Sequence, residues 1–254
     1  MVDEKRFTIA ILQARISSSR LPGKVMLKIN GEPMIYRQIE RIQKASTIDE
    51  IIVATSTDSS DDPLTEFLVE RGLRVFRGEL EDVLSRFLMI QNELKPTAVI
   101  RLTGDCPLVM PKLIDRMVLK FYDGNLDYLS NTLKPTYPDG LDIEVIRPSA
   151  LRKLETFDLC IAEKEHVTLG IYSRPSKFSF ENFCGDGDFS NERWTVDYIE
   201  DLEFVRNVFS EFQGREPDFT FEDVMLFLSK SPNGRSTITA DRRNEKLGGV
   251  EIVE

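Results

Sequence analysis

Between Thr8 and Leu102, short apolar runs alternate with segments of helical period, and no other feature narrows the possible folds as far. Thr8 to Gln13 is an almost unbroken apolar run, the pattern of a strand covered on both faces. Met34 to Ile42 has apolar residues at helical spacing. The pattern then repeats: Ile51 to Ala54 as a strand, Leu64 to Arg71 as a helix, Leu73 to Phe76 as a strand, Val83 to Leu94 as a helix, and Ala98 to Leu102 as a strand. Such alternation predicts an α/β, doubly wound, mostly parallel sheet with helices on both faces. In that Rossmann-like class ligands lie beyond the carboxyl ends of the strands, so functional residues are expected just after each strand.

From Asn125 the rhythm changes. Tyr128 to Ser130 and Leu141 to Ile146 read as strands, separated by Pro135, Pro138 and Gly140, and Pro148 opens a helix. The stretch 125–174 is expected to be a small inserted β-rich arm, a lid or a dimer arm. Trp194 to Val196 reads as a further strand, and Ile199 to Phe212 and Phe221 to Leu228 as helices. Residues 1–232 are expected to form one domain, and 233–254 a polar carboxyl-terminal tail.

Composition excludes several classes of function. No apolar run approaches the roughly 20 residues needed to cross a bilayer, and residues 1–7 carry alternating charges in place of a cationic leader. No membrane partner is expected. Cys106, Cys160 and Cys184 are odd in number and widely spaced, which suits neither a disulfide framework nor a metal knuckle and fits a reducing cytoplasm. A net charge of -10 argues against general nucleic-acid binding, which needs a basic face.

Against that acidic background, Lys5, Arg6, Arg15, Arg20, Lys24 and Lys28 occur with no Asp or Glu between Glu4 and Glu32. Within this island the first strand is followed by Gln13-Ala14-Arg15-Ile16-Ser17-Ser18-Ser19-Arg20-Leu21-Pro22-Gly23-Lys24. Small residues let backbone N–H groups approach phosphate oxygens, and Arg and Lys add charge-assisted hydrogen bonds. The stretch is neither a P-loop, since Val25 replaces the hydroxyl after Gly23-Lys24, nor a dinucleotide fingerprint. It reads as a polyphosphate loop, with Ala14, Arg15, Ser19, Arg20 and Lys24 as candidate contacts.

Ile11 to Lys24, continued by Gly31-Glu32-Pro33-Met34-Ile35, resembles the amino-terminal signature of the cytidylyltransferases that make CMP-activated acidic sugars. Within them it is most similar to the spore coat polysaccharide biosynthesis protein F group. The same likeness is carried by Arg77-Gly78-Glu79 with Asp82-Val83-Leu84, by Thr103-Gly104-Asp105-Cys106-Pro107-Leu108, and by Tyr137-Pro138-Asp139-Gly140-Leu141-Asp142. Glu165-His166-Val167-Thr168 and Arg193-Trp194-Thr195-Val196-Asp197 complete it. The resemblance implies a fold of the nucleotide-diphospho-sugar transferase type, CTP as the nucleotide, Mg²⁺ as the cofactor and a homodimer formed through the 125–174 segment. It places Thr55, with Ser56, Thr57 and Asp58, near the ribose and base, and Arg77 after the third strand.

Read from the residues alone, Asp105 follows an apolar strand through Thr103 and Gly104, which sets a carboxylate at the same sheet edge as the cationic loop. A carboxylate beside phosphates suits Mg²⁺, which takes one or two carboxylates, waters and phosphate oxygens; the alternative is a turn-capping Asp before Pro107. Asp197 is by resemblance the second metal ligand and otherwise a cap for the following helix. Asp142 and Glu144 share one face of the expected strand, and with Asn131, Tyr137 and Asp139 they form either an acceptor pocket or a wet face. His166, the only histidine, is a structural residue by default and a substrate contact by resemblance. Arg193 matches an acceptor carboxylate or a surface ion pair. Cys106, beside Asp105, reads as a packing residue.

The expected activity is transfer of CMP from CTP to an acidic sugar or related small acceptor with release of pyrophosphate, with Arg15, Lys24 and Asp105 as the candidate catalytic residues. Two alternatives stand beside it. A glycosyltransferase using a preformed nucleotide-sugar would need a D-x-D motif, for which Asp186-Gly187-Asp188 has the letters. A non-catalytic nucleotide-binding partner would have no need for both Asp105 and Asp197.

Overall fold

The structure, a computed structural model, describes residues 6–230, so the tail from 233 lies outside the described residues. In chain order the strands are β1 (Thr8–Gln13), β2 (Lys28–Ile29), β3 (Glu32–Pro33), β4 (Glu50–Ser56), β5 (Arg74–Gly78), β6 (Ala98–Thr103), β7 (Tyr128–Ser130), β8 (Glu144–Ile146) and β9 (Phe180–Asn182). The helices are α1 (Met34–Ile42), α2 (Asp62–Glu70), α3 (Val83–Leu94), α4 (Pro111–Gly124), α5 (Pro148–Leu154), α6 (Ile161–Glu165), α7 (Leu169–Tyr172), α8 (Ile199–Glu211) and α9 (Phe221–Lys230).

Seven strands form one sheet in the order β5-β4-β1-β6-β8-β7-β9, while β2 and β3 pair separately. β1 runs parallel to both of its neighbours, β4 and β6, and β5 runs parallel to β4. β8 is antiparallel to β6 and β7, and β9 returns parallel to β7. The chain builds outward from β1 through β4 to β5 and then crosses to the other side for β6. The crevice at the carboxyl ends of β1 and β6 is therefore a topological switch point, the place where a sheet of this kind opens to a ligand.

The apolar character of β1 follows from this central place. Ala10 and Leu12 pack into a core shared with α1, α4 and α8, while Ile9 and Ile11 pack into a second core shared with α3, α5 and α7. All four are fully buried. Among the described residues no helix is long and apolar enough to cross a membrane.

The helices expected from sequence at 34–42 and 83–94 have those bounds, and the strand at 128–130 does also. Two other expectations are corrected. Only Glu144–Ile146 of the expected 141–146 strand is a strand. Upstream of it the side chain of Asn131 takes the place of a neighbouring strand, donating to the Leu141 carbonyl at 2.7 Å and accepting from the Ile143 N–H at 2.9 Å. Trp194–Val196 is not a strand, because its N–H groups bridge two loops: Trp194 donates to the Asp139 carbonyl at 2.6 Å and Val196 to the Asp105 carbonyl at 2.8 Å. The 125–174 segment supplies β7 and β8 to the central sheet and then runs through the short helices α5, α6 and α7.

Gly140 lies where these loops meet. Its φ is +105°, and a Cβ there would stand 2.4 Å from the backbone nitrogen of Thr195. Gly140→Ala should lower the unfolding free energy by about 3 kcal/mol, since a forbidden backbone angle and a backbone clash are combined. Urea unfolding of the wild type and the variant measures this; equal midpoints would contradict it.

Candidate active site at the carboxyl edge of the sheet

A cleft of about 320 Å³ opens at the switch point. Of the residues read from the sequence, Ala14, Arg15, Ser19, Arg20, Lys24, Gly104, Asp105, Asp139, Asp142, Glu144, His166, Arg193 and Asp197 all line it. Thr55, Arg77, Asn131 and Tyr137 do not. Thr55 is fully buried on β4, and Arg77 is directed away, donating to the carbonyls of Ser56 and Asp58 and pairing with Asp62 at 2.7 Å. Asn131 has the structural task described above, and Tyr137 stacks on Phe183. The alternative D-x-D residues Asp186 and Asp188 are exposed and lie outside the cleft.

The cationic loop is held at both ends. Its closure comes from the Gly23 N–H donating to the Ile16 carbonyl at 3.0 Å, with Gly23 at φ +71°. Its entry is tied by Asp61, a fully buried carboxylate that accepts from the Ile16 N–H at 2.7 Å and from the Ser56 hydroxyl and N–H. Gly104 explains the close approach of the two strand ends: a Cβ on it would stand 2.8 Å from that of Ala14.

At the centre of the cleft is Lys24. Its ammonium donates to Asp105 Oδ2 at 3.0 Å, Asp197 Oδ1 at 3.0 Å and the Val196 carbonyl at 2.7 Å, which uses all three of its protons. Burial opposes the charge on Lys24, but Asp105 and Asp197 outweigh it and hold its pKa above the ordinary lysine value. For Asp197 burial acts in the opposite direction and is outweighed by Lys24, with Arg20 contributing, so its pKa is below that of an ordinary aspartate. Arg20 pairs with Asp197 directly.

Arg193 corrects one expectation. Rather than presenting a fork to an acceptor, its guanidinium is 2% exposed and pairs with Asp139 at 2.8 Å, Asp197 at 3.1 Å and Asp201 at 3.1 Å. Most of its donors are used within the protein, and its effect is to orient Asp197. The helix-cap alternative for Asp197 is likewise displaced. Asp201, one turn into the chain of α8, accepts from the N–H groups of Asp197 at 2.9 Å and Tyr198 at 3.0 Å, which leaves the Asp197 carboxylate facing the cleft.

Glu144 is not a wet-face residue either. It is buried, pairs with Arg101 and accepts from the Tyr128 hydroxyl at 2.5 Å, while Arg101 also donates to Gln13 at 2.8 Å. Asp142 and His166 line the cleft and are half-buried. His166 follows the end of α6 and precedes Val167, whose φ of +49° is strained for a β-branched residue. Cys106 is buried, and desolvation first, then Asp105, push its thiol well above the ordinary range, so it is inert packing.

Sequence reading missed Arg101, Asp61, Asp201 and Arg86. The last is 3% exposed, lines the cleft, and its Nε has no hydrogen-bond partner. Burial, and behind it the charge of Arg15, lower its pKa. A lone arginine in an amphipathic helix carries no motif; only the apolar neighbours Val83, Phe87 and Ile90, which place this face inward, hinted at it.

The two wings of the cleft are thus a cation-rich wall and a pair of carboxylates converging on one point. The oxygens of Asp105, Asp197 and the Val196 carbonyl converge there on the Lys24 ammonium, a set of hard donors that suits Mg²⁺ when phosphates and waters complete its shell. Among the described residues no group of three or more His, Cys, Asp or Glu is placed to hold a metal unaided.

The chain matches the family model described as cytidylyltransferase over residues 9–222. It belongs to the cytidylyltransferase family. As a member of that family the protein is a nucleotidyltransferase enzyme. It is 31% identical to the spore coat polysaccharide biosynthesis protein SpsF of Bacillus subtilis, over 91% of this chain and 98% of that one. It superposes on a cytidylyltransferase from Leptospira borgpetersenii with a TM-score of 0.87 and 31% identity, covering 92% of this chain and 98% of the other. A CMP:2-keto-3-deoxy-manno-octonic acid synthetase solved with CTP shares the fold at a TM-score of 0.63 and 19% identity, covering 81% and 99%.

Two outcomes follow for this cytidylyltransferase. Alkylation of the native enzyme at about pH 8 should modify Cys160 and Cys184 and spare Cys106 until the protein is unfolded, as mass spectrometry of peptides would reveal. Because the folded pKa of Asp197 is depressed, its contribution to stability is present above the ordinary aspartate pKa and is lost as pH falls through the folded value. The stability difference between wild type and Asp197→Asn should therefore shrink as pH is lowered below about 4, measured by urea unfolding.

Proposed function

We propose that the enzyme transfers CMP from CTP to a small acidic sugar or related hydroxy acid, with release of pyrophosphate, in the biosynthesis of a surface or spore-coat polysaccharide. The observation that carries this reading is the opposition, across one cleft at the switch point, of the Arg15–Lys24 loop to the converging carboxylates of Asp105 and Asp197. The name of the Bacillus subtilis relative supports the pathway, and the family supports CTP.

In this reading the loop N–H groups and the side chains of Arg15, Arg20, Lys24 and Arg86 bind the triphosphate. Asp105 and Asp197 would hold Mg²⁺, which would supply neutralisation of phosphate charge and make pyrophosphate a better leaving group. An acceptor hydroxyl gives its proton to solvent water and its oxygen bonds to the α-phosphorus; the bond from that phosphorus to the bridging oxygen breaks, and the electron pair leaves with pyrophosphate. Positioning and charge stabilisation account for most of the acceleration in such transfers. Asp142, Thr132 and His166, which also line the cleft, form the acceptor side in this reading. A cytoplasmic homodimer formed through the 125–174 segment belongs to the same reading, and light scattering that gave a monomer at working concentration would remove that element.

A screen of acidic sugars with CTP and Mg²⁺, read by pyrophosphate release, tests the activity. Pyrophosphate should appear only when an acceptor is present, and Asp105→Asn should lower kcat/KM by roughly a hundredfold or more. Full activity in a correctly folded Asp105→Asn enzyme would overturn the assignment of that residue.

A further inference from the structure

The ammonium of Lys24 fills the point at which Asp105 and Asp197 converge, and it takes the three oxygens that a cation there would take. We infer that Lys24 is a built-in stand-in for the divalent ion, so that the carboxylates become available to metal only when a nucleotide triphosphate draws the lysine away. This deepens the nucleotidyltransferase reading and rests on it.

Three observations lead to this. The first is stoichiometric: Lys24 donates one proton to each of Asp105 Oδ2, Asp197 Oδ1 and the Val196 carbonyl, at 2.7 to 3.0 Å, so an added cation would find that oxygen set already satisfied. The second is mechanical. Lys24 follows Gly23 at the end of the phosphate loop, in a single turn of 3-10 helix, and Arg20 of the same loop covers Asp197 as well. Two of the three cations paired with these carboxylates, Lys24 and Arg20, are thus carried by the element that would receive phosphates, the third being Arg193. The third is the donor count: among the described residues two carboxylates face this point, and no group of three or more acidic, His or Cys side chains could hold a metal unaided.

The two tasks of Lys24 are then sequential. In the free enzyme it neutralises two partly buried carboxylates, which without it would repel each other across the cleft. Phosphate oxygens offer the ammonium equivalent partners, and its transfer to them uncovers Asp105 and Asp197 as the metal arrives with the same nucleotide. Arg193 does not move in this exchange, because it is fastened to Asp139 and Asp201 and holds Asp197 in place throughout. The consequence is an ordered assembly: metal without nucleotide binds poorly, which keeps the carboxylates from being occupied unproductively.

The experiment uses the full chain and Mn²⁺ alone, with free Mn²⁺ read by electron paramagnetic resonance and no nucleotide or acceptor present. Wild type should bind Mn²⁺ weakly, and Lys24→Met should bind it roughly tenfold or more tightly, the equivalent of at least about 1.4 kcal/mol. Lys24→Arg, which keeps the charge, should stay as weak as wild type, and Asp105→Asn added to Lys24→Met should abolish the gain. Lys24→Gln serves in place of Lys24→Met if the latter does not fold, as judged by circular dichroism. Mn²⁺ binding by folded Lys24→Met or Lys24→Gln no tighter than by wild type would overturn the inference. Because this readout needs no turnover, it is separate from the acceptor screen: absence of pyrophosphate release from CTP in wild type would sink the activity reading and leave the Mn²⁺ result standing.

Discussion

The charge cluster around Asp197 is the interaction on which the rest of the site depends. Asp105, Asp139, Asp197 and Asp201 come from three separate loops and a helix, and Lys24, Arg20 and Arg193 bind them together. Lys24 alone joins positions 81 and 173 residues away in the chain. Buried carboxylates at such spacing are tolerated only when paired, and removing one partner from a buried pair typically costs about 3 to 5 kcal/mol. The loop after β1, the turn after β6 and the entry to α8 are therefore fixed relative to one another by electrostatics as much as by packing.

Around that cluster the fold does two further things. The switch in direction of the sheet between β1 and β6 opens a crevice at the carboxyl edge, and Gly104 lets the two strand ends approach closely enough for the loop cations to reach Asp105. Asp61 then anchors the loop from beneath, through a backbone N–H and a hydroxyl, without presenting its charge to the cleft. The same residues therefore shape the cleft and tie the loop after β1 to the sheet.

The division of labour among the arginines follows from what each one meets. Arg193 and Arg101 are buried against carboxylates and hold other groups in position. Arg86 is buried with no carboxylate in ion-pair contact among the described residues; it lines the cleft, and its Nε is without a hydrogen-bond partner. Arg15 is more exposed and lies 3.8 Å from Glu165.

The sequence by itself determined the layered α/β architecture, since a strand buried on both faces has to be apolar throughout and a covering helix has to repeat at 3.6 residues. Its acid-free basic island pointed to an anion, and the motif letters singled out Asp105 and Asp197, which the structure brings together with that island in one cleft. Local pattern has no access to partners distant in the chain, and there the tertiary structure decided. It made Asn131, read as either a pocket or a wet-face residue, a surrogate strand partner, put Arg193, read as either an acceptor fork or a surface ion pair, into a buried charge cluster, placed Thr55 and Arg77 off the cleft, and brought in Arg86 and Asp61. In each case the deciding quantity was which charges and hydrogen-bonding groups lie within about 3 Å, which depends on how separate loops are brought together at the sheet edge.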